Sequence, residues 1–150
     1  MRGLNFEQDE RLEITSPDDR AKVGLPFVVR WRVEDFEITG RDGSARPDAG
    51  YFGVYVDRAP QPPDRTQAWL VREDQRCRRL TDCTASSFLA DQNIFAVTET
   101  SFTVERVEAP SSQAPKRREF HDVTIALLNG RGQRIGESAF IRQFEVDRDL

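Results

Sequence analysis

Residues 26–34 carry the clearest hydrophobic pattern of the chain, because every second side chain is apolar. The apolar positions are Phe27, Val29, Trp31 and Val33. The charged residues of the opposite face are Arg30, Arg32 and Glu34. This alternation is typical of a strand with one face in the core, whereas a helix would scatter the charges around its circumference. The pattern predicts a β-strand, with Trp31 as the anchor of the core.

Residues 50–57 form a second strong strand pattern, which is apolar on both faces. Tyr51 and Tyr55 share one face, and Phe52 lies on the other. A short, continuous apolar run is typical of a central strand that is covered by a layer on each side. If one face is exposed instead, its aromatic rings would be available to hold a sugar or a partner protein.

The C-terminal part of the chain predicts a β-hairpin. Residues 121–128 alternate between apolar and polar positions, and Asn129-Gly130 follows them directly. This dipeptide is a strong turn signal, because both residues tolerate a positive φ. The return strand is predicted over residues 137–146.

The remaining segments give weaker signals. Shorter strands are predicted at residues 11–15, 68–72, 94–98 and 101–107. One helical turn is predicted within residues 85–93, and no convincing long helix is visible. About seven or eight strands without helical crossovers favour an all-β, antiparallel β-sandwich. We expect one such domain over residues 11–150, preceded by an N-terminal extension at residues 1–10.

Four of these segments carry a family resemblance: residues 14–17, 26–31, 51–57 and 121–132. Over roughly residues 11–146, the chain resembles the immunoglobulin-like domains of bacterial extracytoplasmic proteins and lipoproteins, a group of unknown function. His121 opens the penultimate strand, as His or Tyr does in many such domains. The chain departs from antibody-type domains, since no cysteine lies on its second or penultimate strand. The resemblance implies an immunoglobulin-like sandwich in a secreted or membrane-tethered protein, and it implies no activity.

The two cysteines, Cys77 and Cys83, bear on the compartment. They lie in a polar, arginine-rich segment, whereas unpaired cysteines usually occupy apolar surroundings. This favours a local disulfide in an oxidising compartment, and the alternative is two reduced cysteines in a cytosolic protein. No signal peptide is recognisable at the start, and no apolar run is long enough to span a bilayer. We expect an extracytoplasmic protein whose signal peptide or membrane tether lies outside this sequence.

Composition and charge argue against several classes of partner. Hydrophobic residues make up 37% of the 150 residues, and ten of them are Phe. A disordered chain would be poor in aromatic residues. The net charge of -4 argues against a nucleic-acid partner and against tight docking on anionic lipid.

Catalytic and metal-binding patterns are scarce. His121 is the one histidine, no serine lies in a glycine-flanked elbow, and Asp122 faces the opposite side of the strand. A transition metal would need three or four His or Cys ligands. We therefore expect no catalytic residue, no metal and no cofactor, and we predict that the chain is not an enzyme. Two carboxylate pairs leave a calcium site open as an alternative: Asp18 with Asp19, and Asp42 with Asp48.

Two basic clusters stand out as candidate contacts with an anionic partner, although ordinary surface charge is the alternative. They comprise Arg76, Arg78 and Arg79, and Lys116, Arg117 and Arg118. The expected function is a non-catalytic, extracytoplasmic protein-interaction module, either an accessory subunit or a tethered lipoprotein domain. The alternative is a carbohydrate- or small-ligand-binding sandwich that uses exposed aromatic residues. A large, dry apolar patch would favour the first function, and a concave site with aromatic rings the second.

Overall fold

The computed structural model describes residues 11–74, 86–109 and 118–150. The described part of the chain is all-β apart from a short 3-10 helix, Gln67–Val71, and one helical turn, α1, Ser86–Ala90. Its strands are β1 (Leu12–Ser16), β2 (Lys22–Val23), β3 (Phe27–Val33), β4 (Glu37–Ile38), β5 (Ala49–Val56), β6 (Ile94–Val97), β7 (Ser101–Val104), β8 (Phe120–Leu128) and β9 (Arg134–Val146).

The strands form two sheets. The small sheet has the order β1-β3-β7, and the large sheet has the order β2-β9-β8-β5-β4, with β6 also paired to β5. The short strands β2 and β4 run parallel to their partners. The other pairings are antiparallel, as the absence of helical crossovers predicts.

The two sheets pack against each other around a common core. On β3, Phe27, Val29 and Trp31 are buried, while the residues between them are exposed. The Trp31 ring meets Phe52 of the large sheet edge-on, with 5.4 Å between ring centroids. Phe27 also contacts Phe144 of the large sheet, with a tilted ring arrangement and 5.2 Å between ring centroids. The predicted strand and its tryptophan anchor are therefore confirmed, and the alternation of β3 is what holds the sheets together.

The large sheet is buried on its second face as well. Every residue of β5 is buried, and the outward side chains join a second hydrophobic cluster beneath the 3-10 helix and α1. This cluster comprises Tyr55, Val71, Phe88, Leu89, Ile94, Ala126 and Ala139. The prediction that β5 lies between two covering layers is confirmed: one layer is the small sheet and the other is largely the two short helices.

The predicted strand at residues 68–72 is wrong, because the 3-10 helix occupies this segment. The amide of Trp69 donates to the carbonyl of Thr66, and the amide of Arg72 donates to that of Trp69. The buried residues are Gln67 and Val71, at the two ends of this short helix, so both ends rest against the rest of the domain. The predicted helical turn within residues 85–93 is confirmed by α1.

The C-terminal hairpin forms where it was predicted, but its left-handed residue differs. The amide of Gly132 donates to the carbonyl of Asn129, and Gly132 has a φ of 81°. The predicted positive φ at Asn129 and Gly130 is not observed. The loop has the three-residue pattern, in which a turn is followed by a left-handed glycine. The return strand begins at Arg134 rather than at residue 137, because Arg134 already pairs with Leu128 beyond a bulge.

Candidate functional site

A pocket of about 560 Å³ lies along β6, the strand that flanks β5. Residues 94–98 form one wall, the start of the 3-10 helix and α1 form another, and Phe102 comes from the small sheet. Tyr51 and Gly132 lie at the end where Arg41 enters. The large apolar side chains around it are Leu89, Ile94, Phe95, Val97 and Phe102, and three alanines, Ala68, Ala90 and Ala96, complete the apolar lining. The pocket therefore forms where the layer of short helices meets the strand at the side of the large sheet.

A buried polar network fixes the 3-10 helix against β6. The Tyr55 hydroxyl lies 2.5 Å from Gln61 Oε1, to which it donates. Gln67 Nε2 donates to the Tyr55 hydroxyl at 3.3 Å and to the carbonyl of Phe95 at 2.8 Å. Burial raises the pKa of Tyr55 to about 12, so its hydroxyl keeps its proton and remains a donor. Gln67 thus provides a side-chain donor for the carbonyl of Phe95 on β6.

Arg134 ties the same network to the hairpin. Its Nη1 donates to the carbonyl of Gln61 at 2.9 Å, and its Nη2 donates to the carbonyl of Glu137. The amide of Arg134 donates to the carbonyl of Arg65, and the carbonyl of Arg134 accepts from the amide of Asp64. Burial lowers the pKa of the Arg134 guanidinium, although it stays charged at neutral pH because the pKa of arginine starts above 12. This arginine therefore fastens the segment that precedes the 3-10 helix.

The polar end of the pocket depends on close contacts between the hairpin and the loop after β4. The amide of Gly43 donates to the carbonyl of Gly130, and Arg131 Nε donates back to the carbonyl of Gly43 at 3.0 Å. A Cβ on Gly130 would lie 1.8 Å from Asp42 Oδ1, so only glycine permits this approach. The contacts hold Arg41 beside the pocket.

Tyr51 and Arg41 meet at this end. A Cβ on Gly132 would lie 2.9 Å from the Tyr51 hydroxyl and 3.3 Å from Arg41 Nη2. Burial raises the pKa of Tyr51, and the neighbouring guanidinium lowers it less, so the net pKa is above 10.0. The hydroxyl is therefore protonated at neutral pH. The alternative in which one aromatic face of β5 is exposed is not observed: Tyr55 is fully buried, and Tyr51, 5% exposed, borders the pocket.

His121 lies in a separate cluster of charged residues. Its Nδ1 lies 2.6 Å from Asp57 Oδ2, and its Nε2 lies 2.6 Å from Glu119 Oε2. Glu119 also accepts from the guanidinium of Arg148, at 2.7 Å and 3.1 Å. Burial lowers the pKa of His121, but the bonds to the two carboxylates raise it more, so the net pKa lies above 6.5. Each ring nitrogen faces a carboxylate oxygen, which accepts, so this geometry favours the imidazolium, in which both nitrogens donate.

This arrangement suits a structural role better than proton transfer. A general base needs a free ring nitrogen that reaches the reacting group, and carboxylates occupy both nitrogens of His121. The residues described around the pocket do not include His121. Asp122 donates its amide to Asp57 Oδ1 at 2.9 Å, so it contributes its backbone to the cluster. The prediction that the chain is not an enzyme stays a prediction.

Most of the predicted site residues lie outside the described residues. These are Cys77, Cys83, Arg76, Arg78, Arg79, Lys116 and Arg117. Arg118 is described: its Nη2 lies 2.8 Å from Glu145 Oε1, and its guanidinium lies 5.0 Å from the centre of the Phe120 ring. Arg118 therefore binds its own domain while remaining largely exposed.

The carboxylates considered for calcium serve the loops in which they lie. Asp42 Oδ1 accepts from the amide of Ser44, and Asp48 Oδ1 pairs with Arg46. Asp19 Oδ1 accepts from the amide of Gln143. Within the described ranges, no group of three or more His, Cys, Asp or Glu residues is arranged to hold a metal ion.

Sequence analysis did not identify Arg41 or Gln67 as site residues. Gln67 stands at the edge of a segment that was predicted as a strand, and Arg41 stands in a loop whose composition indicates exposure. Gly53 is a signal in the sequence that could have indicated the site, although no prediction was drawn from it. A glycine inside a central strand often marks a close approach, and a Cβ on Gly53 would lie 2.4 Å from the Tyr55 hydroxyl.

The described helices include none that is long and apolar enough to cross a membrane. Neither a protein-family model, nor a curated protein, nor a solved structure matches this chain.

Proposed function

We propose that this chain is a non-catalytic binding domain that holds a small, largely apolar ligand in the pocket beside β6. The pocket itself carries the proposal. Its volume of about 560 Å³ falls in the range of small-molecule sites, and aromatic and aliphatic side chains line most of it. Phe95 and Phe102 pack together at 4.6 Å between ring centroids, which gives one wall a fixed aromatic surface.

A protein-interaction module receives less support from the described surface. The large apolar side chains exposed there are Val28, Ile38 and Leu150. They belong to β3, β4 and the C-terminal end, and isolated exposed apolar residues are normal on a monomer. A specific protein interface usually needs a larger, well-packed patch. The basic clusters predicted from the sequence keep the interaction hypothesis open, because they lie largely outside the described residues.

The proposal includes an immunoglobulin-like fold for the two sheets. In that fold, strands A, B and E share one sheet and strands G, F and C the other. The order β1-β3-β7 corresponds to A, B and E, and the order β9-β8-β5 corresponds to G, F and C. In this correspondence β6 takes the place of the C′ strand of variable-type domains. The proposed ligand therefore lies at the C′ side of the larger sheet.

We also propose an extracytoplasmic location, with Cys77 and Cys83 joined by a disulfide. The support is the polar setting of both cysteines in the sequence. Mass spectrometry of protein from its native source, without reductant and after thiol alkylation, tests this part. A disulfide leaves both thiols unlabelled, whereas two labelled thiols would contradict the proposed location.

The ligand site is tested with the neutral, apolar dye N-phenylnaphthylamine, whose fluorescence rises in dry surroundings. The full chain is expected to bind it saturably at one site. Ala96→Phe places a large ring on the pocket wall and is expected to weaken binding at least about tenfold, since the lost contact corresponds to more than about 1.4 kcal/mol. Ala109→Phe is the matched control, because Ala109 is exposed and lies outside the described pocket lining.

Circular dichroism of both variants shows whether the fold persists. Equal loss of dye binding in the two variants, or no saturable binding by the unmodified chain, would remove the support for a ligand site. Unchanged binding in a folded Ala96→Phe variant would place the dye elsewhere on the protein.

A further inference from the structure

We infer that the ligand of this pocket is an amphipathic anion, whose acidic group binds Arg41 and Tyr51 while its apolar body fills the space along β6. The inference rests on the proposed function, since it names the class of ligand for the same site. It goes beyond that function because an apolar pocket alone would accept neutral molecules equally well.

The Arg41 guanidinium supplies the first part of the argument. Among the described residues that line the pocket, Arg41 alone carries a charge. It lies beside the Tyr51 hydroxyl, and no described carboxylate forms an ion pair with it. Two other exposed arginines do have such partners: Arg32 pairs with Glu13 at 2.9 Å, and Arg46 pairs with Asp48 at 3.1 Å. Arg41 therefore retains donors that can be directed at an incoming anion.

The neighbouring acid does not neutralise this arginine. Asp42 follows Arg41 in the chain, but its Oδ1 accepts from the amide of Ser44 at 2.9 Å and faces Gly130. The hydrogen bond from the Ser44 amide holds the carboxylate on the side of the loop that faces the hairpin. The guanidinium and the carboxylate thus have different partners, and the pocket end stays positive.

Tyr51 supplies a second donor at the same end. Its ring is buried and its hydroxyl lies close to Gly132 and to the Arg41 guanidinium. A guanidinium and a phenol hydroxyl side by side match the two oxygens of a carboxylate, or two oxygens of a sulfonate. The other end of the pocket offers Leu89, Ile94 and the phenylalanine pair to an apolar body.

The test compares two dyes of the same aromatic skeleton in the full chain. N-phenylnaphthylamine is neutral, and anilinonaphthalene sulfonate carries one sulfonate. The anionic dye is expected to bind about tenfold more tightly at low ionic strength, which is the scale of one charge-assisted hydrogen bond. Added salt is expected to reduce this advantage, because the guanidinium is exposed.

Arg41→Gln is expected to bring the ratio of the two affinities close to one, and Tyr51→Phe is expected to reduce it by a smaller factor. Arg30→Gln is the matched control, since it removes the same charge from an exposed position on β3; its ratio is expected to stay as in the unmodified chain. Equal affinities in the unmodified chain, or equal ratios for Arg41→Gln and Arg30→Gln, would overturn the inference.

The outcomes also separate the inference from the proposed function. Saturable binding of the neutral dye that Ala96→Phe weakens, without a preference for the anionic dye, would leave the ligand site and overturn the anionic class. Binding of neither dye would overturn both.

Discussion

The charged cluster around His121 allows a test of how burial determines the contribution of an ion pair to the free energy of unfolding. We consider His121→Gln, which removes the positive charge while keeping a polar side chain of similar length. The imidazolium donates to Asp57 and Glu119 at 2.6 Å each, and its side chain is 7% exposed. The substitution leaves both carboxylates in place without the cation between them.

The expected cost follows from what each carboxylate retains. A hydrogen bond to a charged group contributes about 1.5–3 kcal/mol. Glu119, whose side chain is 12% exposed, retains its ion pair with Arg148. Asp57, whose side chain is 32% exposed, retains the hydrogen bond from the Asp122 amide and remains partly solvated. These remaining partners reduce the loss, so we expect His121→Gln to lower the free energy of unfolding by about 2–3 kcal/mol.

The pH dependence provides a second signature. The pKa of His121 in the folded protein lies above its ordinary value of 6.5. Its bonds to the carboxylates therefore stabilise the protein fully below pH 6.5, and this stabilisation is lost as pH rises through the pKa of the folded protein. The bond to Arg148 and, after it, the bond to His121 lower the pKa of Glu119 below 4.5. Its contribution is present above 4.5 and is lost as pH falls through the folded pKa. The cost of His121→Gln is therefore expected to be largest between pH 4.5 and 6.5.

Urea unfolding of both proteins across this range measures the difference. Arg32→Gln is the control, because Arg32 pairs with Glu13 at 2.9 Å and with Glu34 at 2.6 Å while all three side chains are at least 45% exposed. We expect this control to cost less than about 1 kcal/mol, since water screens exposed pairs. Equal costs for the two variants, or a cost of His121→Gln that does not decline toward alkaline pH, would refute the reasoning.

Three further substitutions test the core and the loop that positions the pocket. Tyr55→Phe leaves the buried side-chain oxygen of Gln61 without its donor, so we expect the free energy of unfolding in urea to fall by about 1–3 kcal/mol. In the unmodified chain, ultraviolet titration is expected to show Tyr55 ionising at a pKa of about 12. Ionisation of Tyr55 near pH 10 in the folded protein would contradict its burial. Trp31→Phe is expected to lower the free energy of unfolding by about 1–3 kcal/mol through lost packing alone, because the buried Trp31 Nε1 has no hydrogen-bond partner among the described residues. A larger decrease would indicate that the indole makes a polar contact. Gly130→Ala places a Cβ 1.8 Å from Asp42 Oδ1. We expect the free energy of unfolding to fall by about 1–3 kcal/mol, which corresponds to a decrease of several degrees in melting temperature for a chain of this size. An unchanged melting temperature would show that the loop adjusts to the Cβ at no measurable cost.

The strands were predictable wherever the decisive signal was local. Alternation of side chains over residues 27–33 is a property of neighbouring residues, and it survives in β3 because one face meets the large sheet. The continuous apolar run of β5 likewise indicated two covering layers. These patterns did not indicate which elements cover the outer face of β5. Much of that layer consists of the 3-10 helix and α1, which have five residues each.

The site was harder to predict, because its polar residues serve contacts between distant parts of the chain. Gln67 donates to the carbonyl of Phe95, and the loop containing Arg41 is held by contacts with the hairpin at Gly130. In the sequence, Gln67 is a polar residue at the edge of a predicted strand and Arg41 is a charged residue in a loop, and neither position indicates a binding site. The same holds for Gly130, which was predicted to supply a positive φ, whereas its actual contribution is the absence of a Cβ.

The pocket follows from the way in which the large sheet is covered. A sheet that is apolar on both faces needs a second layer, and here two short helices supply much of it. Such elements cover the centre of the sheet, around Tyr55, more fully than its side along β6. The apolar wall of β6 therefore borders a gap rather than a packed neighbour, and the lost packing of that wall is a cost to the unliganded protein. A ligand that fills the gap restores those contacts in the folded state alone, so its binding must also raise the stability of the fold.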